Sequence, residues 1–68
     1  MREWLRNLRI EKNLTMKAMA EKLGISESYY CAIENGERQK KMDMLLASGL
    51  ATILEVPVSR IVQLDMSR

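Results

Sequence analysis

Apolar residues recur at the spacing of an α-helix along almost the whole chain, without the alternation that is typical of a half-buried strand. In the first segment Trp4, Leu5 and Leu8 form one apolar stripe. This stripe predicts a first helix that runs to Lys12. The helix is predicted to end at Asn13, because asparagine tolerates the left-handed conformation that often follows a helix.

The central segment contains the signals for two short helices joined by a tight turn. Thr15 is a good N-cap for the first of them, which has apolar residues at helical spacing as far as Gly24. One residue later Ser26 is a second N-cap, and Asn35 and Gly36 end the helix that follows. Two such helices joined by a short turn that contains glycine form the helix-turn-helix arrangement.

The last third of the chain predicts two further helices after a polar and basic loop at residues 37–41. Asp43 is a suitable cap for a fourth helix to about Leu54, whose apolar residues cover more than one face. Pro57 suits the start of a short fifth helix. We therefore predict an all-α, compact five-helix fold in a single domain, residues 1–68, with its helix-turn-helix motif at about residues 15–35.

Composition narrows the class of protein. The chain is 47% hydrophobic and 29% charged, which excludes the low apolar content of intrinsic disorder. It has one cysteine and no histidine, so neither an internal disulfide nor a tetrahedral zinc site is expected. No apolar run approaches the roughly 20 residues that span a bilayer. We therefore expect a cytoplasmic protein without a membrane contact.

The net charge of +2 is small, but the positive charges are unevenly distributed. They are concentrated in the first 22 residues and in residues 37–41, as Arg2, Arg6, Arg9, Lys12, Lys17, Lys22, Arg38, Lys40 and Lys41. This distribution predicts a basic surface on one side of the domain, which is typical of nucleic-acid binding. Taken alone, an ordinary solvated surface explains the charges at least as well.

The spacing of the two central helices also fits an αα-corner in a protein that does not bind nucleic acid. The identities of the residues distinguish these possibilities better than the spacing does. Residues 14–26 read LTMKAMAEKLGIS and residues 29–36 read YYCAIENG. Both stretches resemble the Cro/repressor (Xre-type) helix-turn-helix family. The resemblance extends from Leu5 to about Ile61. Its most specific parts are Ala-x-x-x-Gly-Ile-Ser at residues 20–26 and Ile-Glu-Asn-Gly at residues 33–36.

The resemblance implies a lambda-repressor-like domain that places its third helix in the major groove of DNA. It implies base contacts near the start and along one face of that helix, from Ser26, Glu27, Ser28 and Ala32. Contacts to the DNA backbone are expected from Thr15, Met16, Lys17, Tyr29, Asn35, Arg38, Lys40 and Lys41. The family usually has glutamine where this chain has Met16. We therefore expect backbone N–H groups at that helix start to hold a phosphate instead of a side-chain amide.

Several of these residues also have a purely structural explanation. Ser26 is an N-cap with or without DNA, and Glu27 is favoured at a helix start by the helix dipole. In a DNA complex Glu27 would repel phosphate but accept a hydrogen bond from a cytosine amino group. Ser28 pairs with any base and Ala32 offers only a methyl group, so this base-reading set is weak.

The resemblance also predicts a buried ion pair between the first and third helices, with Arg9 against Glu34. Tyr30 matches the position that anchors the third helix in the core. Cys31 is expected to be a small filler, because nothing nearby supplies the base that a nucleophile needs.

The leading hypothesis is a sequence-specific DNA-binding transcriptional regulator, acting as a dimeric repressor that associates through its C-terminal third. It has no fused ligand-sensing domain in this interpretation. The alternative is a protein-interaction module, antitoxin-like or an anti-repressor, that keeps the fold but reads DNA weakly or not at all. An enzyme is not expected, because the sequence offers no histidine, paired-carboxylate cleft or phosphate loop. Neither hypothesis requires a cofactor, a metal or a small-molecule ligand.

Overall fold

The structure is a computed structural model that describes residues 1–67. Within this range the chain forms five short helices. They are α1 Glu3–Glu11, α2 Met16–Leu23, α3 Glu27–Asn35, α4 Met44–Leu54 and α5 Val58–Met66. Residues 1–67 contain no strand. The predicted all-α, five-helix fold is confirmed.

Side-chain caps fix the starts of α2, α3 and α4, as the sequence predicted. The hydroxyl groups of Thr15 and Ser26 each accept a hydrogen bond from the N–H three residues later, at 3.0 and 3.1 Å. The carboxylate of Asp43 does the same at 2.8 Å. Each bond satisfies an N–H group that has no partner inside its helix, which typically stabilises a helix by about 1 kcal/mol.

The helices end at residues with left-handed backbone. Gly24 and Gly36 cap α2 and α3 with φ of 73° and 81°, a conformation that glycine adopts without steric cost. α1 ends one residue earlier than predicted, and Asn13 takes the expected left-handed conformation, with φ 57°. Glu55 ends α4 with φ 59°, which the sequence did not signal.

The core lies where α2 packs against α3 and where α4 packs against both α5 and α2. Its buried apolar residues come from all five helices, and they are Leu5, Met19, Ala20, Tyr30, Ile33, Ala47, Leu50, Ala51, Leu54 and Ile61. Gly49 permits the close approach of α4 to α2. A Cβ atom there would lie 3.1 Å from Leu23 Cδ2, which is tighter than ordinary van der Waals contact.

Among residues 1–67, no single helix is long and apolar enough to cross a membrane. Together α4 and α5 have the length and composition of a span, but they are bent by 117° at the break between them.

Candidate nucleic-acid interface

The turn between α2 and α3 is closed by backbone hydrogen bonds. The Gly24 N–H donates to the Glu21 carbonyl at 3.2 Å, and the Ile25 N–H donates to the Ala20 carbonyl at 3.0 Å. This closure needs the left-handed conformation at Gly24. Ser26 then caps α3 directly, so the turn determines the point at which α3 begins.

One face of α3 is buried and its start is exposed. Tyr30 and Ile33 are fully buried on the inner face. Three of the four residues expected to contact bases are exposed together at the start of the helix, namely Ser26, Glu27 and Ser28. Ala32, the fourth, lies farther along α3 and is half-buried. The start of α3 therefore presents short polar side chains and one carboxylate to solvent.

The start of α2 contributes a second group of predicted residues. Thr15 and Lys17 are exposed, while the Thr15 hydroxyl accepts the N–H of Ala18. Met16 is half-buried and packs against the core. Its side chain therefore belongs to the core, and the polar groups at this helix start are backbone N–H groups, the Thr15 hydroxyl and the Lys17 ammonium.

The far end of α3 leads into the basic loop, residues 37–41. The loop follows the nine residues of α3 and the cap residue Gly36. Arg38, Lys40 and Lys41 are exposed in the loop, and Asn35 is exposed just before it. The Asn35 side-chain amide lies against Cys31, with Nδ2 at 3.6 Å from Sγ.

The basic loop is attached to α3 at its beginning and in its middle. The N–H groups of Glu37 and Arg38 both donate to the Ala32 carbonyl, at 2.9 and 3.2 Å. Gln39, with φ 55°, donates from Nε2 to the Tyr29 hydroxyl at 3.0 Å. Tyr29 is half-buried, and a hydroxyl that accepts one hydrogen bond can still donate its own proton.

Arg2 is a functional candidate that the sequence did not indicate. Its charge predicted a place on the surface, but the residue is fully buried. Its Nε donates to Asp65 Oδ1 at 2.7 Å. Its Nη1 donates to the carbonyls of Ile33 at 2.6 Å and Arg38 at 3.2 Å, and its Nη2 donates to the carbonyl of Gln39. These partners are 31 to 63 residues away along the chain, so no local pattern around Arg2 could have signalled them.

Arg9, Tyr30 and Glu34 form a buried group between α1 and α3, which we call the Arg9 cluster. Arg9 Nε lies 2.6 Å from Glu34 Oε2, and the Tyr30 hydroxyl donates to the same oxygen at 2.7 Å. The predicted Arg9–Glu34 ion pair is confirmed. The hydrogen bond to Glu34 raises the pKa of Arg9. Burial, together with the Glu34 carboxylate, raises the pKa of Tyr30 well above its usual value, so its hydroxyl stays protonated and donates.

The predicted one-sided basic surface is smaller than the sequence suggested. The prediction is wrong for Arg2, which is buried because polar partners are available to it inside the fold, while Arg9 is buried in its predicted ion pair with Glu34. Lys12 forms an ion pair with Glu55, and its ammonium lowers the pKa of that carboxyl. The basic loop therefore carries a larger share of the exposed positive charge than expected.

Among residues 1–67, no group of three or more His, Cys, Asp or Glu side chains could hold a metal ion. An open groove of about 590 Å³ lies between α2, α3 and α4, with a largely apolar lining that includes Ile25, Tyr29 and Ile53. Leu45, which is 86% exposed, also lines it.

Comparisons with known proteins agree with this geometry. The sequence model of a family described as "Helix-turn-helix domain" matches residues 3–56. The chain is also similar to a protein of Bacillus subtilis (strain 168), named as the uncharacterized HTH-type transcriptional regulator YqaF, with 44% identity over 39 residues. That match covers 57% of this chain and 51% of the relative, so the chain spans about half the length of the curated relative. No solved structure matches the chain significantly.

Proposed function

We propose that this chain, which belongs to the Xre-type helix-turn-helix family, binds a specific DNA sequence with α3 in the major groove and so regulates transcription. The observation that carries this proposal is the exposed start of α3 on a helix whose other face is buried. Ser26, Glu27 and Ser28 are free of core packing there, while Tyr30 and Ile33 anchor the helix. A recognition helix in this class of domain contacts base edges with its N-terminal residues.

The base-reading residues differ in what they can discriminate. The Glu27 carboxylate can accept a hydrogen bond from the amino group of cytosine, and it repels phosphate, so it favours contact with a base edge. The Ser28 hydroxyl can donate or accept and therefore discriminates weakly. Ala32 offers a methyl group to thymine. Glu27 is accordingly the main source of direct base preference in the proposal.

The DNA backbone is proposed to be held at the two ends of the motif. At the start of α2, backbone N–H groups with Thr15 and Lys17 suit one phosphate, because a helix start attracts anions. At the end of α3 the Asn35 side chain can donate to phosphate oxygens, and the hydroxyl of Tyr29, from the first turn of α3, can do the same beside Gln39 of the loop. The basic loop adds the positive charges of Arg38, Lys40 and Lys41.

A homodimer acting as a repressor completes the leading proposal. Three large apolar side chains in the C-terminal third are strongly exposed, namely Met44, Leu45 and Met66. An isologous contact through this region would bring two recognition helices to a separation of about 34 Å, one turn of DNA. Such a dimer on a promoter would occlude it. We place this activity in the cytoplasm, without catalysis, cofactor or small-molecule ligand.

A second candidate function is a protein-interaction module that keeps the fold and reads DNA weakly. The observation that favours it is the open apolar groove between α2, α3 and α4, with the exposed Leu45 in its lining. The weak base-reading set of Glu27, Ser28 and Ala32 points the same way. This candidate has an antitoxin-like or anti-repressor role.

Selection of bound duplexes from a random DNA library separates the two candidates. A sequence-specific dimer is expected to enrich a two-fold symmetric site whose half-sites are one helical turn apart. The control is the chain with Glu27→Ala and Ser28→Ala, which should enrich a less defined site. If the folded parent enriches nothing, sequence-specific binding is excluded and the interaction module is favoured.

The basic loop is expected to bind the DNA backbone without reading sequence. Substituting Arg38, Lys40 and Lys41 together by alanine removes three charges per subunit, or six per dimer. Each neutralised phosphate contributes about 0.9 to the slope of log K against log salt concentration, so the upper limit of the loss is about 5. We expect a loss of about 2 to 4, because some loop side chains remain in solvent. Base preference should be unchanged, since phosphate contacts carry no direct sequence information.

Glu27→Ala is the matched control for this salt series, because its effect should be the reverse. It should change preference at one symmetric pair of positions and leave the salt slope nearly unchanged. Both variants are measured on a selected site and on a scrambled duplex. A triple loop variant with the parent slope would mean that the DNA backbone does not lie along the basic loop.

The dimer is expected to be stable at micromolar concentration. Sedimentation should then show a species of twice the 7.9 kDa chain mass. Leu45→Glu should shift it to the monomer, because it places a charge in the exposed apolar surface of the C-terminal third. Ile10→Glu is the control, since Ile10 is also exposed but lies on α1. A parent that sediments only as a monomer would count against a stable dimer.

A further inference from the structure

The guanidinium of Arg2 is fully buried, and each of its three nitrogens donates a hydrogen bond. Three of its four acceptors are backbone carbonyls, one from Ile33 in α3 and two from Arg38 and Gln39 in the basic loop. An arginine suits such a set because its donors project in a fixed plane in several directions. The side chain thus ties the end of α3 to the middle of the loop that follows it.

The charge of Arg2 also complements the end of α3. The last turn of α3 contains no basic residue of its own, although unpaired carbonyls give a helix C-terminus a partial negative charge. Arg2 supplies the missing cation from 31 residues away, through its bond to the Ile33 carbonyl. Its backbone N–H donates to the Glu34 carbonyl at 2.7 Å, so main chain and side chain of Arg2 both contact this helix end.

The direction of the loop carbonyls follows from these bonds. The carbonyls of Arg38 and Gln39 point inward to the Arg2 guanidinium, while the side chains of Arg38 and Lys40 are exposed. A carbonyl oxygen directed at a phosphate would repel it, because the oxygen is the negative end of the peptide dipole. Arg2 therefore removes two acceptors from the surface on which the loop cations lie.

A second anchor holds Arg2 itself. Its Nε is ion-paired with Asp65 on α5 at 2.7 Å, and the Asp65 side chain is mostly buried. This bond fixes the plane of the guanidinium relative to α5, so the loop carbonyls bond to a donor that cannot easily turn away.

We propose that Arg2 is a positioning residue for DNA binding: it holds the basic loop with its carbonyls inward and its cations outward, ready for the phosphates. This inference rests on the proposed function. Arg2 is fully buried, so it can affect DNA binding only through the groups that it holds, the basic loop and the end of α3.

The test compares Arg2→Met with Arg60→Met, which removes the same charge from an exposed position on α5. Both are assayed at a temperature where circular dichroism shows full folding, over a salt series on a mixed-sequence 30-base-pair duplex. We expect Arg2→Met to lose at least half of the salt slope that the triple loop variant loses, although it removes no phosphate contact. Arg60→Met should keep nearly the parent slope. Equal slopes for parent and Arg2→Met overturn the proposal.

Placing Arg2→Met in the triple loop variant shows whether Arg2 acts through the loop. With the loop cations already absent, Arg2→Met should change the salt slope no further, whereas a general loss of stability would not depend on them. If Arg2→Met lowers the salt slope of the triple loop variant by as much as it lowers that of the parent, the proposal is overturned. If the loop variant alone keeps the parent slope, the loop placement in the proposed function fails first.

Amide hydrogen exchange tests the same idea without DNA. In Arg2→Met the N–H groups of Glu37 and Arg38, which bond to the Ala32 carbonyl, should exchange at least tenfold faster. The amides in the middle of α4 should change much less, which a global loss of stability would not allow. Arg2→Lys is the second variant: it keeps the charge and hence the fold, but one ammonium cannot serve all four acceptors. Unchanged exchange in a folded Arg2→Lys or Arg2→Met overturns the proposal.

Discussion

Glu34→Gln is expected to lower the free energy of unfolding by about 3–5 kcal/mol, because it leaves the Arg9 guanidinium buried without a counter-charge. Gln has the same shape as Glu, so packing is preserved and the loss is electrostatic. The carboxylate oxygen that it replaces accepts from both Arg9 and Tyr30. A domain of this size is stable by about 3–10 kcal/mol in total, so the variant should lose about a third or more of its free energy of unfolding. Urea denaturation followed by far-ultraviolet circular dichroism measures the loss.

Glu55→Gln is the matched control, since it makes the same chemical change in an ion pair at the surface. Glu55 is paired with Lys12, and the pair is exposed to solvent, where screening makes such interactions weak. Its urea midpoint should stay near that of the parent. Equal destabilisation by Glu34→Gln and Glu55→Gln would mean that burial of the Arg9 cluster does not matter to its strength.

Local signals predicted most of the fold correctly. Thr15, Ser26 and Asp43 were predicted as caps, and each makes its cap hydrogen bond. Gly24 and Gly36 were predicted to end helices, and both have left-handed backbone. These features depend on residues within one turn of each other, so the sequence nearby contains all the information that they need.

Contacts between distant residues could not be predicted in the same way. The four hydrogen bonds of the Arg2 side chain join the start of the chain to α3, the basic loop and α5. From the sequence, Arg2 was expected only as part of a basic surface. The bond from Gln39 to Tyr29 has a similar origin, because it joins residues ten positions apart, one in the loop and one in α3. The Arg9–Glu34 pair was predicted only because the resemblance to a family implied it.

The candidate site was predicted at the level of residues but not of their surroundings. The exposed start of α3 was expected, and the structure places Ser26, Glu27 and Ser28 in solvent. The distribution of charge was misjudged, because counting arginines and lysines cannot distinguish a buried guanidinium from an exposed one. The buried carbonyls and carboxylates that partner Arg2 and Arg9 exist only once the helices have packed.

Leu50→Ala is expected to destabilise the domain by about 2–5 kcal/mol, whereas Leu45→Ala on the same helix should have little effect on folding. The apolar pattern of α4 covers more than one face, so the sequence did not show which leucine is in the core. The two positions are five residues apart, which places them about 140° apart around the helix. Leu50 is fully buried and Leu45 is 86% exposed, so only Leu50→Ala leaves a cavity.

Concentration dependence separates folding from association in this pair. In urea denaturation at submicromolar protein, where a weak dimer contributes little, Leu50→Ala should lose stability and Leu45→Ala should match the parent. At a hundredfold higher concentration the parent should gain stability from dimerisation, and Leu45→Ala should gain less if Leu45 lies in the contact. Leu50→Ala should gain as much as the parent, because its side chain faces the core. Equal losses for both variants at low concentration would mean that Leu45 is covered within one chain, and its exposed surface would no longer support association through the C-terminal third.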